Sequence, residues 1–475
     1  MIGRVARCER PILIIAFLLA AIAACLFFII AVPSGQAPDE RAHALRADSL
    51  RHGVIVGVRW EAGPPAMRQQ PSSPTDGEVK AIRVPHLQAG GRADPALVVA
   101  LAPFADLAPD ARLTPALFDA ARAAPWQGPA IVDFPNTIQY PPTFYVGGAL
   151  ALAAAQGLGF GPYDATLGMR LANAAQFLVL GGLALWLAVA GRLCLFVVLT
   201  LPMTLFVASS TSQDGIMIAA AALAAALVSR MWQVPALPVG RLALLALTLA
   251  AVIMARPTNA PLALLLLLPQ AGIVWRRRLA AFAAVTLATL CWSALVTMPL
   301  AVPLRDGVDA AAHLARIGTA PGAVLDMLRA TLDANIADYF AQMVGRFGLL
   351  QILMPDWSLW AYLLPVAAAI AGDMIQPAAG PRLRLAAAVV IVLGGAGLIA
   401  IAQYLTWTPV GSTRIEGVQG RYFLPLATVI GLGVAGLVPL AARWPRGAAV
   451  LVALTGPVIG ALAVPGVVIA RYYGS

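Results

Sequence analysis

Long apolar runs recur along the chain. Hydrophobic stretches with room for a membrane span fall at 12–32, 168–190, 192–209, 215–232, 240–256, 259–275, 279–302, 357–375, 385–406, 421–441 and 447–470. A bilayer core needs about 20 apolar residues in a helix, so this pattern predicts about 11 transmembrane helices. Residues 142–160 form one more apolar segment, which is rich in glycine and alanine and follows Pro141. With a cytoplasmic N-terminus, a full span there would place Arg276-Arg277-Arg278, Arg382/Arg384 and Arg443/Arg446 outside. Reading it as a helix lying in the outer interface places all three clusters inside, with Arg192, Arg230 and Arg241. The positive-inside rule favours this juxtamembrane arrangement.

This parity puts residues 33–167, Asp214, Arg256, 303–356 and 407–420 on the extracytoplasmic side. The polar pattern agrees. Asp39, Glu40, Asp48, Glu61, Asp76, Glu78, Asp94, Asp106, Asp110, Asp119 and Asp133 are half of the chain's 22 acidic residues. His43, His52 and His86 lie among them. Alternation at 54–60 and 78–84 predicts short strands. In 303–356, Leu325, Leu328, Leu332, Ile336, Met343 and Phe347 recur at helical spacing, with Asp326, Arg329, Asp333 and Asp338 between. That predicts an amphipathic helix, either on the membrane or packed on the first loop. The organisation is therefore an anchor span (1–32), an extracytoplasmic loop with a juxtamembrane helix (33–167), a transmembrane bundle (168–302), a second extracytoplasmic loop (303–356) and a C-terminal bundle (357–475).

Composition gives the same class. The 475 residues are 60% hydrophobic and 11% charged, with mean hydropathy +0.82; soluble domains carry about 25% charged residues. The chain reads as an all-α polytopic membrane protein. Its net charge of +10 does not point to nucleic acid: Lys80 is the single lysine among 32 basic residues, and the longest basic run is Arg276-Arg277-Arg278. Arginines at span ends anchor topology. Cys8, Cys25, Cys194 and Cys291 imply neither a disulfide framework nor a zinc site. The basic N-terminal lead and its long apolar run read as a retained anchor rather than a cleaved signal.

Candidate chemistry gathers at the outer face. Pro38-Asp39-Glu40 and His43 follow the first span directly. Carboxylates this close to hydrocarbon carry a desolvation cost and invite a functional reading. A helix beginning at Asp39 would put Asp39 and His43 on one face, with Arg46 a turn further; the alternative role for Asp39 is an N-cap. Asp214 ends the hydroxyl-rich run Ser209-Ser210-Thr211-Ser212-Gln213, as a helix cap or as a second carboxylate aimed at a cavity. Arg421, in Gly420-Arg421-Tyr422-Phe423-Leu424-Pro425, can grip a phosphate bidentately or snorkel as an anchor. Arg256, Arg170 and Arg346 are similar outer arginines. Tyr140-Pro141-Pro142-Thr143-Phe144-Tyr145 offers stacking surface for a sugar, or an interfacial aromatic belt.

Taken in order, Asp39-Glu40, Pro141-Pro142 and Asp214 resemble the layout of the GT-C superfamily of membrane glycosyltransferases. More closely, the chain resembles a bacterial membrane-protein family catalogued as domain of unknown function 2142. That likeness rests on Pro38-Asp39-Glu40-x-x-His43, Tyr140-Pro141-Pro142, Ser212-x-Asp214, Arg256-Pro257, Gly345-Arg346-Phe347-Gly348 and Gly420-Arg421-Tyr422-Phe423-Leu424-Pro425, and it covers nearly the whole chain. The large GT-C enzymes carry a soluble C-terminal domain, and a departure from them on this point is expected, with no such domain after the last span.

The resemblance implies a GT-C-like bundle in the bacterial inner membrane with its site facing outward. It implies transfer of a sugar from a polyprenyl-phosphate donor to a glycan, lipid or protein acceptor. Asp39, or else Glu40, would be the base. His43, Tyr140, Asp214, Arg256, Arg346, Arg421 and Tyr422 would bind substrate, among membrane lipids and without nucleic acid. No cofactor is indicated, and a divalent cation at Asp39 and Asp214 is left open. The rival readings are a transporter or flippase of lipid-linked saccharide, a structural partner in an envelope assembly, and a polysaccharide polymerase or ligase.

Overall fold

The computed structural model describes residues 2–61, 67–71, 79–83, 87–105, 107–108, 110–233, 240–438 and 446–474. Asp76, Glu78, His86, Asp106 and Arg443 lie outside them. Helices dominate, and among the described residues seven are long and apolar enough to cross a membrane: Glu9–Ala31, Pro162–Leu187, Asp214–Trp232, Trp275–Leu300, Asp356–Met374, Pro381–Thr406 and Arg446–Tyr472. The all-α polytopic reading holds.

Several of the about 11 apolar segments expected as spans are short or interrupted helices. Residues 192–209 break at Leu201-Pro202 into Arg192–Thr200 and Pro202–Ala208. Gly240–Ala255 has 16 residues, about 24 Å of helix. Residues 259–275 contain the end of a 3₁₀ segment, Pro257–Leu266, and 421–441 divides into Gly420–Phe423, Leu424–Ala427 and Ile430–Val434. Proline removes a helical N–H and clashes with the preceding turn, and Pro202, Pro257, Pro261 and Pro425 stand at these breaks. Irregular backbone at membrane depth is tolerated where protein buries it. Both halves of 192–208 are buried throughout.

The centre of the bundle is Asp214–Trp232. It is apolar on every side, and 89% of its membrane-length window is buried; a helix without a polar face belongs inside a bundle. Its alanines let neighbours approach closely, and it packs along Pro162–Leu187 and Gly240–Ala255. Ile2–Ala31 lies against Pro162–Leu187, where the Phe17 and Phe177 rings sit 5.8 Å apart. Phe28, Phe206 and Phe347 pack in a trio with centroids 5.2–5.4 Å apart.

Polar groups collect at both ends of the first helix. At its beginning, Arg446 grips Glu9 through Nε at 2.6 Å and Nη2 at 2.8 Å. Asp373 accepts from the Cys194 N–H at 2.9 Å. This network ties four helices together. From Glu9 the helix runs on to Ala31, about 33 Å, and Asp39 follows soon after it, so the second cluster belongs to the opposite end.

That second end carries a cap of small elements. Val58–Glu61, Leu87–Ala93 and Ala130–Asp133 form a three-stranded antiparallel sheet with Leu87–Ala93 in the middle. Met67–Pro71 pairs with Val79–Arg83. Thus strands occur in both stretches whose alternation predicted them. The 142–160 segment folds as a short 3₁₀ turn and the 12-residue helix Val146–Gly157, about 18 Å long and short of a bilayer core. The 303–356 region yields Ala310–Thr319 and Pro321–Gly345; the second of these packs on the Gly420–Phe423 turn and on Pro202–Ala208.

Candidate functional site

The site is built on a polar helix that the fold buries. Glu40–Arg51 ends ahead of Gly53, whose φ of +79° suits a helix-terminating glycine. Glu40, His43, Arg46, Asp48 and Ser49 are all buried in it. Buried polar groups must find partners, and those partners fix what surrounds the helix.

Glu40 is held in a buried ion pair. It forms a bidentate pair with Arg170, Oε1 to Nε at 2.6 Å and Oε2 to Nη2 at 2.7 Å. It also accepts from the backbone N–H groups of Gly35 at 2.8 Å, Ala37 at 3.1 Å and Thr211 at 3.1 Å. Burial alone would raise its pKa; the Arg170 charge and these hydrogen bonds outweigh burial and hold the carboxyl below its ordinary value. Its lone pairs are committed. Arg170, a weak candidate from sequence, is the structural partner.

His43 is likewise enclosed. Its Nδ1 lies 2.7 Å from the Tyr145 hydroxyl and its Nε2 3.2 Å from Ser212 Oγ. Its ring stacks between Tyr140 and Tyr145. Burial pushes its pKa down to about 4, against the opposing pull of Asp214 and Asp39. It therefore stays neutral and bridges the 40–51 helix to the 209–213 loop. Arg46 donates to the carbonyls of Tyr140, Val54 and Ile55 at 2.8–3.1 Å, which fixes the approach of Tyr140.

Asp39 stands apart from this helix. It is the residue before it, with φ of +56°, in the left-handed region that side chains with a Cβ enter at a cost. Its backbone carbonyl accepts from the His43 N–H at 3.0 Å, but its carboxylate makes no cap bond. Instead Oδ1 accepts from Asn136 Nδ2 at 2.9 Å, and Oδ2 lies 3.9 Å from Arg421 Nη2. The side chain remains 43% exposed.

Asp214 begins the central helix. Asn173 Nδ2 donates to the carbonyls of Ser210 and Ser212 and so sets the loop before it. A Cβ at Gly215 would come within 2.3 Å of Ala208 Cα, so glycine permits the tight return. Asp214 Oδ1 accepts from Arg256 Nη2 at 2.8 Å, and Oδ2 lies 3.6 Å from Arg421 Nε. The Tyr422 ring sits under both guanidiniums, 4.6 Å from Arg256 Cζ and 5.4 Å from Arg421 Cζ. Arg256 Nη1 and Arg421 Nε are buried without a hydrogen-bond partner in the protein. Two cationic forks thus converge with unspent donors.

Arg346 does not join this convergence directly. It donates from Nε to the Leu350 carbonyl at 2.8 Å and pairs through Nη1 with Asp338. Asp338 accepts from Gln342 Nε2 at 2.6 Å, and Gln342 Oε1 accepts from the Gly420 N–H at 2.9 Å. Arg346 therefore steadies the turn that presents Arg421. Gly420 is required there: a Cβ would sit 2.1 Å from the Tyr339 carbonyl oxygen.

Two hollows flank the cluster. Asp39 lines a cleft of about 400 Å³ beneath the cap. Tyr140, Arg256 and Tyr422 line a pocket of about 170 Å³ whose other walls include Met254, Thr297 and Ile399 of the bundle. Thr297 closes a π-helical turn, Ser293–Thr297, a distortion frequent at functional sites. Burial pushes the Tyr140 phenol up to about 12, so it serves as a neutral hydrogen-bonding group.

The donor set does not fit a divalent cation at Asp39 and Asp214. Arg256 and Arg421 already face both Asp214 oxygens, and among the described residues no group of three or more His, Cys, Asp or Glu comes together. Sequence reasoning missed Asn136, Asn173, Asp338 and Gln342. Asn136 lies four residues before Tyr140, and that proximity was the one available signal.

Fold and site define a polytopic helical membrane protein with a charged cluster at one end of its bundle. The chain belongs to the family of predicted membrane proteins described as DUF2142, which matches residues 17–430; the whole cluster lies in that stretch. No curated protein and no solved structure matches the chain.

Proposed function

We propose that the protein is a glycosyltransferase of the GT-C type. It moves a sugar from a polyprenyl-phosphate donor to an acceptor hydroxyl at the outer face of a bacterial plasma membrane. One observation carries this reading: Asp39, Arg421, Asp214 and Arg256 form a continuous run of ion contacts, with an open cleft at one end and a pocket between bundle helices at the other.

In this reading the donor phosphate meets Arg256 and Arg421, whose unpartnered N–H groups suit its oxygens. The lipid tail stays among the helices, and Tyr140 and Tyr422 flank the head group. Asp39 accepts the proton as the acceptor oxygen bonds to the anomeric carbon. The bond from that carbon to the phosphate oxygen breaks, and its electron pair leaves with polyprenyl phosphate. A positioned base contributes about 10²- to 10⁴-fold. Preorganised cations act on the charge that develops on the leaving group, at an oxocarbenium-like centre. Asp214 orients both arginines without spending their remaining donors.

The test uses full-length protein in nanodiscs with a radiolabelled polyprenyl-phosphate monosaccharide and an envelope extract as acceptor. Wild type should move label off the lipid. Asp39→Asn should lower the rate at least a hundredfold while the protein stays folded, because asparagine tolerates the left-handed conformation. Arg421→Ala should weaken donor binding. Full activity of Asp39→Asn would remove it from the mechanism. Movement of labelled glycolipid between leaflets with no bond change would replace the enzyme by a flippase.

A further inference from the structure

The geometry points to a saccharide, rather than a lipid or a peptide, as the occupant of the 400 Å³ cleft beside Asp39. This inference rests on the glycosyltransferase reading for its role as acceptor site, but the binding it predicts stands separately. The cleft has the volume of a small-molecule site. Asp39, Asn136 and Gln88 supply carboxylate and carboxamide groups to its wall, and the half-buried Trp407 supplies aromatic surface. A sugar hydroxyl both donates and accepts. It can therefore satisfy an amide and a carboxylate together, while the C–H face of the ring lies on an aromatic plane.

The two hollows differ in their walls. The smaller pocket is bounded by Met254, Thr297 and Ile399, all in bundle helices. Gln88 and Phe134 bring the cap into the cleft, from a strand and from the turn after one. A lipid acceptor needs apolar walls running on from the bilayer; Met254 and Ile399 of the smaller pocket stand on bundle helices, beside the polar Gln139, Arg256 and Gln403. A peptide presents one hydroxyl among backbone groups and would leave these amides and carboxylates poorly matched, which costs affinity. Asp39 sits where the cleft meets Arg421, so a saccharide hydroxyl bound there lies beside the proposed base.

The test measures binding without any donor. Full-length protein in nanodiscs is titrated with cellobiose, maltose and N,N′-diacetylchitobiose, and saturation-transfer NMR reads contact. At least one disaccharide should bind. Trp407→Ala and Gln88→Ala should each weaken it about tenfold, equivalent to about 1.4 kcal/mol. Trp360→Ala, at a tryptophan 73% exposed elsewhere on the bundle, should leave it unchanged. Unaltered melting shows that the variants are folded; if Trp407→Ala is not, Gln88→Ala decides. Failure of all three sugars to bind, or binding indifferent to both cleft variants, overturns the inference. The outcomes separate the two readings. Saccharide binding without transfer keeps this site and removes the enzyme. Transfer onto a lipid or peptide that no disaccharide competes with keeps the enzyme and removes this site.

Discussion

Replacing Glu40 by glutamine should cripple the fold rather than the chemistry. The carboxylate is inaccessible, Arg170 is 1% exposed, and five hydrogen bonds converge on two oxygens. In the variant one oxygen becomes an NH₂ group. If it replaces Oε1, it faces the donors of Arg170 Nε and Thr211. If it replaces Oε2, it faces those of Arg170 Nη2, Gly35 and Ala37. Either way donors oppose donors. Arg170 keeps the carbonyls of Val32 at 2.6 Å and Pro33 at 3.0 Å and one bond to the remaining amide oxygen, but becomes a buried cation without a counterion. Removing one partner of such a pair costs about 3–5 kcal/mol.

Denaturant titration of the purified protein in mixed micelles measures this cost, with Asp39→Asn as a comparison expected within about 1 kcal/mol of wild type, as for a half-exposed site. A double variant, Glu40→Gln with Arg170→Met, should recover part of the loss, because no orphaned charge remains. The pH dependence has a definite sign. The folded carboxyl is held below its usual range, so its contribution is complete above the unfolded value of about 4.3 and fades as pH falls below it. If Glu40→Gln unfolds at the same denaturant concentration as wild type, the structural assignment is wrong and Glu40 returns as a candidate base.

Gly420→Ala should displace the Arg421 turn, because its Cβ would overlap the Tyr339 carbonyl; a loss of about 1–3 kcal/mol should accompany lost donor binding, and normal binding in the lipid-linked sugar assay would contradict the account. His43 should make the fold acid-sensitive. Its folded value of about 4 lies below the unfolded one, so stability should fall by up to about 3 kcal/mol between about pH 6.5 and 4. His43→Gln should flatten that slope, and an unchanged slope would place the titration elsewhere. Arg346→Ala should act through Asp338 and Gln342, weakening donor binding about tenfold or less. An effect equal to that of Arg421→Ala would mean that Arg346 touches substrate.

Much of the class was legible from periodicity, since a hydrocarbon solvent demands long apolar helices and leaves few other solutions. Asp39, Asp214, Arg256 and Arg421 were also visible as candidates, because charges beside apolar runs stand out. Their assembly into one chain of ion contacts was not visible, as it joins positions 39, 214, 256 and 421 through helix packing. Hydropathy could not separate continuous spans from broken ones, because segments such as 192–209 are apolar through burial in protein rather than contact with lipid. Nor could it divide labour between adjacent acids. Asp39 and Glu40 are chemical near-equals in the sequence, and a left-handed turn sends one toward the cleft and the other onto Arg170. The chain alone determined that this is a membrane bundle with polar groups near one interface. Only the tertiary structure decided which of those groups spend their hydrogen-bonding capacity holding the fold and which keep it for a ligand, because that depends on partners hundreds of residues away.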